Sequence, residues 1–421
     1  MAPVPPTILQ IIPRLDTGGA ELSAIEITEA ISRAGGHAIV ATEGGRLAGR
    51  IIESGGEIIA FPAGTKNPFR ILTNARALER LIRARHVDLI HARSRAPAWS
   101  ALIAARRTGI PFVTTYHGAY AEKGRFKRLY NSVMARADAV IANSDYTANL
   151  IRQRYGTASE RIDVIHRGVD LSAFRPDAIA LERVNALRRT WNVAPSQPII
   201  LQAARLTSWK GQRVLIEAAA LVRDRGQLGD AVVVLAGDAQ GRDSYGELLR
   251  QTAQRLGMAA QVRFAGHVED IAAAYLTAHV TVVASIEPEA FGRAATEAMA
   301  MGCPVIATAI GAPPETILAP PAIAPSEATG WLVQPGSAAA LAAELANALA
   351  LPTADRLATG ARAQAHVARH FTLETMKRQT LVVYDRLLAR GLPDTSRNRL
   401  VDRFLAATAS TAPTRDNPPA A

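Results

Sequence analysis

Residues 280–308 read VTVVASIEPEAFGRAATEAMAMGCPVIAT. Val280 to Val283 form a short apolar run, and Val305 to Thr308 form another. Between them lie a polar loop and, from Arg293 to Ala300, a helical pattern. Two strands joined through a helix run parallel, whereas antiparallel neighbours need only a tight turn. Apolar runs without strict alternation mark strands covered on both faces. The same scheme spreads outward in both directions. Further strand candidates in the second half are Pro198–Ala203, Val232–Ala236, Val262–Ala265 and Gly330–Val333. Helical patterns fall at Gly211–Arg225, Ser244–Leu256, Asp270–Ala278 and Ala338–Leu349. In the first half the strand candidates are Thr7–Ile12, Ala38–Ala41, Glu57–Phe61, Leu89–His91, Phe112–Tyr116, Ala139–Asn143 and Ile162–Ile165, with helices such as Ala20–Ala34 and Asn74–Ala84 between them. Two blocks of alternating elements predict an α/β protein of two Rossmann-like, doubly wound parallel-sheet domains.

A chain of 421 residues exceeds one ordinary domain. The expected division is a first domain over 1–175, a linker over 176–197 and a second domain over 198–370. Residues 392–421 are small, polar and Pro-containing, and are expected to be a disordered tail. Apolar residues make up 48% of the chain and charged ones 20%, as in a globular protein with real cores. No apolar run reaches the roughly 18 residues of a membrane span. The start, MAPVPPTILQIIPRLD, has no basic region before its apolar stretch, so a cytoplasmic location is expected. The single cysteine, Cys303, excludes an internal disulfide and reads as a small core residue.

The net charge of +11 is uneven. Residues 1–175 hold 24 Lys and Arg against 15 Asp and Glu, and the remainder 24 against 22. A basic first half suits an anionic partner: a membrane surface, a phosphorylated acceptor or nucleic acid. No recognition motif or aromatic-rich basic stripe supports nucleic acid. Arg125 to Met134 reads as a basic amphipathic helix, with Lys127, Arg128 and Arg136 beside Phe126, Leu129 and Met134. Such a helix can rest on anionic lipid or pack inward.

No G-x-G-x-x-G follows the first strand of either half, so the dinucleotide fingerprint is missing. The loop after Pro198–Ala203 carries Arg205 and Lys210, two cations able to converge on one diphosphate. In 280–308, Gly292 and Arg293 open a helix whose N-terminal N–H groups can bind phosphate. Glu289 precedes that helix and Glu297 lies within it. Spacing alone leaves sugar-binding acid or capping acid open for Glu289, and ribose-binding acid or helix-surface acid open for Glu297. Gly18 and Gly19 precede a helix and allow a close backbone approach. His117 follows a strand, as do His91 and His267, positions that line sites in open sheets. There is no Asp-x-Asp, no H-E-x-x-H and no Cys/His cluster, so no metal and no cofactor are expected.

With these residues in order, the chain resembles glycosyltransferase family 4, whose members are retaining enzymes of the GT-B fold. The resemblance covers roughly residues 7–390. It rests on the E-x7-E pair Glu289 and Glu297 in EAFGRAATE and on the R-L-x-x-x-K-G loop with Arg205, Leu206, Lys210 and Gly211. TGGAE at Thr17–Glu21, His117-Gly118, Asn143-Ser144 and Gly168–Asp170 fall in the expected order. The resemblance implies two domains facing a central cleft, with a helix over 371–391 returning to the first domain. It implies that Glu297 binds ribose and Glu289 the transferred sugar, while Arg205 and Lys210 hold the diphosphate. Backbone at Phe291–Arg293 and at His267-Val268 would contact the donor, Gly19 would let its loop close on the donor, and His117 would assist at the reaction centre. Three positions depart from the pattern: Ala204 and Ala312 stand where Gly is usual, and Arg167 where Asn is common. Ala312 weakens any backbone approach near Gly311.

The expected activity is transfer from a UDP-, GDP- or ADP-sugar to a hydroxyl of a saccharide or lipid-linked acceptor, in lipopolysaccharide or other cell-envelope glycan synthesis, with peripheral placement on the cytoplasmic membrane. A GT-B epimerase or phosphorylase, or a non-catalytic sugar-nucleotide-binding module, is the alternative.

Overall fold

The computed structural model describes residues 5–16, 18–118, 120, 124–239, 241, 243–389 and 399–410. The chain divides into two compact units: Met1–Asn143 with Thr147–Ile165 and Glu374–Ala421, and Ser144–Tyr146 with His166–Leu373. The first holds strands β1 (Thr7–Ile11), β2 (His37–Thr42), β3 (Glu57–Ala60), β4 (Leu89–Ala92), β5 (Phe112–Tyr116), β6 (Ala139–Ala142) and β7 (Ile162–Val164). They form one parallel sheet in the order β3-β2-β1-β4-β5-β6-β7. The second holds β8 (Ile199–Ala203), β9 (Val232–Ala236), β10 (Val262–Gly266), β11 (Val280–Val283), β12 (Val305–Thr308) and β13 (Gly330–Val333). Its parallel order is β10-β9-β8-β11-β12-β13. Both sheets reverse their winding beside the first strand, at β1/β4 and at β8/β11. The carboxyl ends of strands at such a point are where open α/β sheets bind ligands.

All thirteen expected strands are present, with ends shifted by at most a residue. Burial on both faces explains why the apolar runs were so plain. Val232, Val234 and Ala236 pack into one core, and Val233 and Leu235 into another. The period is two, and both sides of the sheet are covered.

The helix expected from Asn74 starts earlier and spans Pro68–Ala84. Asn67 caps it, accepting from Phe69 N at 2.9 Å and Arg70 N at 3.3 Å, and Pro68 takes the first helical position. The expected linker over 176–197 is instead part of the second unit. It carries the helix Leu181–Thr190, whose Arg183 makes a forked pair to Asp270 at 2.7 Å and whose Arg188 donates to Thr277 Oγ1 at 2.8 Å. The first unit also ends earlier than residue 175. Val169 N donates to Phe371 O at 2.8 Å and Leu373 N to Val169 O at 2.9 Å, tying the segment after Ile165 to the end of the second unit. A Cβ at Gly168 would lie 2.3 Å from Leu373 Cα, so only glycine permits that contact.

The helix Leu373–Leu388 packs with the first unit. Lys377 reaches Glu29 at 2.8 Å, and Arg386 reaches Asp163 at 2.6 Å. The tail expected to be disordered contains a helix, Leu400–Ser410, with Leu400, Val401 and Phe404 buried; residues 392–398 and 411–421 lie outside the described residues. Its cap comes from far away in sequence. The Asp385 carboxylate accepts Leu400 N at 2.9 Å and Val401 N at 3.0 Å, and Arg33 lies 4.5 Å over the Phe404 ring. Burial raises the Asp385 carboxyl above its ordinary value, against the pull of those two bonds.

Cys303 is buried, and burial pushes its thiol up to about 12. Two outcomes follow from these contacts. Alkylation of the native protein near pH 8 is expected to leave Cys303 unmodified until denaturant is added, as read by mass spectrometry; rapid native labelling would contradict its burial. In urea titrations, Phe404→Ala is expected to cost about 3–5 kcal/mol and Asp385→Ala about 1 kcal/mol. Unchanged midpoints in both would mean the helix adds nothing to the fold.

Candidate active site

The loop leaving β8 ends in a 3-10 turn, Ser208–Lys210, and enters the helix Gln212–Asp224. Buried glutamines fix both of its ends. Gln202 donates to Lys210 O at 2.7 Å, and Gln212 to Arg205 O at 2.8 Å. Gly211 has φ 72°, and a Cβ there would sit 1.9 Å from Ala284 O. The loop is thereby pressed against the segment following β11. Gly237 does the same on the other side, where a Cβ would lie 2.0 Å from Ala204 O. The close approach is thus made by Gly237, and residue 204 needs no glycine of its own.

The segment after β11 carries Glu289, which is buried. Its Oε1 accepts from Ser285 Oγ at 2.5 Å and forms an ion pair with Lys210 Nζ. Lys210 Nζ also lies 4.2 Å from the centre of the Trp209 ring. Thr308 Oγ1 donates to Ser285 O at 2.6 Å, so the serine is held in turn by the end of β12. Glu289 O accepts from Ala312 N at 2.9 Å, and a Cβ at Gly311 would meet that oxygen at 2.2 Å. Ala312 has ordinary backbone angles and its N–H is already used, so the approach near Gly311 serves Glu289.

Gly292, at φ 86°, starts the helix Arg293–Ala300. Glu297 lies one turn in. It accepts from Arg293 Nε at 3.1 Å and from Tyr275 Oη at 3.4 Å. Burial, and then the Glu297 carboxylate, raise the Tyr275 phenol well above its ordinary value, so it remains a donor. The two acids of the E-x7-E pair therefore have separate partner sets. Arg205 stands exposed on the same loop as Lys210. Phe291 is buried, edge-on to Phe371 at 5.8 Å, which leaves its backbone as the part available to a ligand. His267 is exposed just past Gly266, where β10 bulges, and Val268 packs into the core.

In the first unit, Gly18 is exposed with φ 145°, and Gly19 begins the helix Gly19–Arg33; Thr17 lies outside the described residues. His117 is half-buried at the carboxyl end of β5. Beyond it, Tyr120 stacks on Tyr116 with centroids 4.6 Å apart, and Arg95 lies 3.9 Å over the Tyr120 ring. His91 is not a site residue. It is fully buried, with Nδ1 2.6 Å from Tyr384 Oη and Nε2 2.8 Å from Thr115 Oγ1, so both ring nitrogens are used inside the core. Met134 is buried as well and does not share the exposed face of the basic helix.

Sequence reading missed Ser285, Tyr275 and Gly237. Only Gly237 leaves a trace, as a turn residue after a strand. Among the described residues, Asp145, His166 and Glu315 bring possible metal-binding atoms within 4.8 Å. Glu315 already accepts Tyr146 N at 2.5 Å and Asp145 N at 2.7 Å, the arrangement of a helix cap.

Residues 17–173 match Glycosyltransferase Family 4, and residues 184–365 match Glycosyl transferases group 1. A D-inositol 3-phosphate glycosyltransferase of Segniliparus rotundus is 31% identical over 299 residues, 68% of this chain and 63% of that protein. One of Salinispora tropica is 30% identical over 355 residues, 79% of this chain and 69% of that protein. A glycosyltransferase from Rickettsia africae superposes with a TM-score of 0.83 at 33% identity, covering 92% of this chain and all of that one. Anabaena HepE in complex with UDP-glucose superposes at 0.77 with 26% identity, covering 90% and 99%. The chain belongs to glycosyltransferase family 4, and its fold is of the GT-B type.

A pair of alanine variants tests the Glu289 support. Gly266→Ala has open space around a left-handed backbone and is expected to cost about 1 kcal/mol. Gly311→Ala shares the backbone sign but meets Glu289 O, and is expected to lower thermal stability several times more. Equal losses would show that the close approach is unimportant.

Proposed function

We propose that this chain is a retaining glycosyltransferase moving a sugar from a nucleotide diphosphate sugar to a hydroxyl of a saccharide or lipid-linked acceptor. The observation that carries this reading is the meeting of Lys210 with Glu289 at the carboxyl ends of β8 and β11, beside the helix opened by Gly292. It joins a cation suited to a diphosphate to an acid suited to sugar hydroxyls, at a sheet's switch point.

In this reading Lys210 and Arg205 take the negative charge that grows on the diphosphate as the glycosidic bond breaks. The N–H groups at Gly292 and Arg293 add the positive end of a helix dipole. Glu297 holds ribose hydroxyls, kept in place by Arg293 and Tyr275. Glu289 holds hydroxyls of the transferred sugar, and Ser285 and Lys210 compensate its charge until donor binds. His267 and Val268 meet the base. Retention follows if a donor phosphate oxygen receives the acceptor proton on the face from which it departs. No metal is required, because the cations and N–H groups meet the leaving charge.

A uridine donor is favoured by the UDP-glucose bound to Anabaena HepE. The acceptor has two readings. The basic first half suits an anionic cell-envelope acceptor on the cytoplasmic side. The relatives named for D-inositol 3-phosphate favour a small phosphorylated polyol. Incubation with UDP-, GDP- and ADP-sugars, with either acceptor class, separates these by product. NMR of the product anomer tests retention, and an inverted product would overturn it. Lys210→Ala and Arg205→Ala are each expected to lower kcat by roughly 3–4 kcal/mol of leaving-group stabilisation. Near-wild-type turnover in either would remove that role, and an epimerised or phosphorolysed donor would point to the other GT-B chemistries. Binding without any turnover would indicate a non-catalytic module.

A further inference from the structure

Trp209 immediately precedes Lys210 in the turn Ser208–Lys210, and it is half-buried. Lys210 Nζ lies 4.2 Å from the centre of its ring. Among the described residues, the hydrogen-bond acceptor of that Nζ is the Glu289 carboxylate alone. The ammonium is thus held between a carboxylate and an aromatic face.

The turn that carries the ring is itself fixed. Trp209 O accepts from Ile286 N at 2.8 Å, Lys210 N donates to Thr207 O at 2.9 Å, and Gln202 donates to Lys210 O at 2.7 Å. The indole therefore stands on pinned backbone. The lysine side chain beside it is among those with the most rotamer freedom to lose.

The two partners of the ammonium differ in what they do to a second anion. A carboxylate pairs strongly with it, and the negative charge repels an approaching diphosphate. An aromatic face attracts it through the ring quadrupole and carries no net charge. The ring can hold the lysine while it turns from Glu289 toward phosphate, without adding to that repulsion.

We propose that Trp209 is a positioning residue, whose indole face holds the Lys210 ammonium as it passes from Glu289 to the leaving diphosphate. This rests on the reading of Lys210 as the diphosphate cation. Trp209 acts through the lysine and needs no contact of its own with the donor.

Steady-state kinetics with UDP-glucose, or with the GDP- or ADP-sugar that gives product in its place, test this. Trp209→Leu is expected to lower kcat about tenfold, with the donor KM changed less than about twofold. Trp209→Met should match it, so the loss does not depend on one variant's folding. Trp209→Phe keeps an aromatic face and is expected to recover most of the lost turnover. In a Lys210→Ala background, Trp209→Leu should add nothing, because both act through one ammonium. Two outcomes would overturn the proposal and leave the lysine's role intact. One is a slow Lys210→Ala with Trp209→Leu at wild-type kcat. The other is a Trp209→Leu loss as large without the lysine as with it, the mark of a ring that packs the loop or stacks on the donor by itself. Wild-type turnover in Lys210→Ala would instead remove the lysine's role, and this proposal with it.

Discussion

Glu289 is the constraint around which the second unit's loops are arranged. Its side chain joins Ser285 and Lys210, and its carbonyl takes the N–H of Ala312. Three strand ends, those of β8, β11 and β12, are held together through this one residue. A largely buried carboxylate is costly unless paired and hydrogen-bonded, and here it is both. The lysine that satisfies it is the group suited to a diphosphate. The same pair therefore ties the loop after β8 to the segment after β11.

Around that residue, glycines act by what they lack. Gly211, Gly237 and Gly311 each face a backbone carbonyl at a distance no Cβ could share. The loops are packed backbone to backbone, which leaves little room for them to drift. Arg205 and Gly292 are carried on this rigid base, and side chains that must meet a ligand benefit from such support.

Strands were legible in the sequence because each is buried on two faces and therefore apolar throughout. Val232 to Ala236 is the plainest case, with all five residues buried. The helix Arg293–Ala300 was legible to the residue, since Gly292 marks its start. What stayed hidden depended on distant partners. The helix Leu400–Ser410 has its first N–H groups taken by Asp385, a residue of the preceding helix. The ion pair of Lys210 with Glu289 joins residues on separate strand ends, and no local spacing announces it. His91 follows a strand as site histidines do, yet Tyr384, on the helix Leu373–Leu388, makes it an interior residue. Leu181–Thr190 looked like a connection because none of its residues is buried, although its arginines bind it to the second unit.

The chain leaves the first unit after Ile165 and rejoins it at Glu374. During synthesis this has an unequal effect on the two units. Every residue of the second is available once Leu373 has left the ribosome. The first must wait, because the buried imidazole of His91 has Tyr384 as a partner. Until then its sheet carries a polar group with that partner still to come. The unit made first is thus the one completed last, and a ribosome pausing between those points would hold a finished domain attached to an open one.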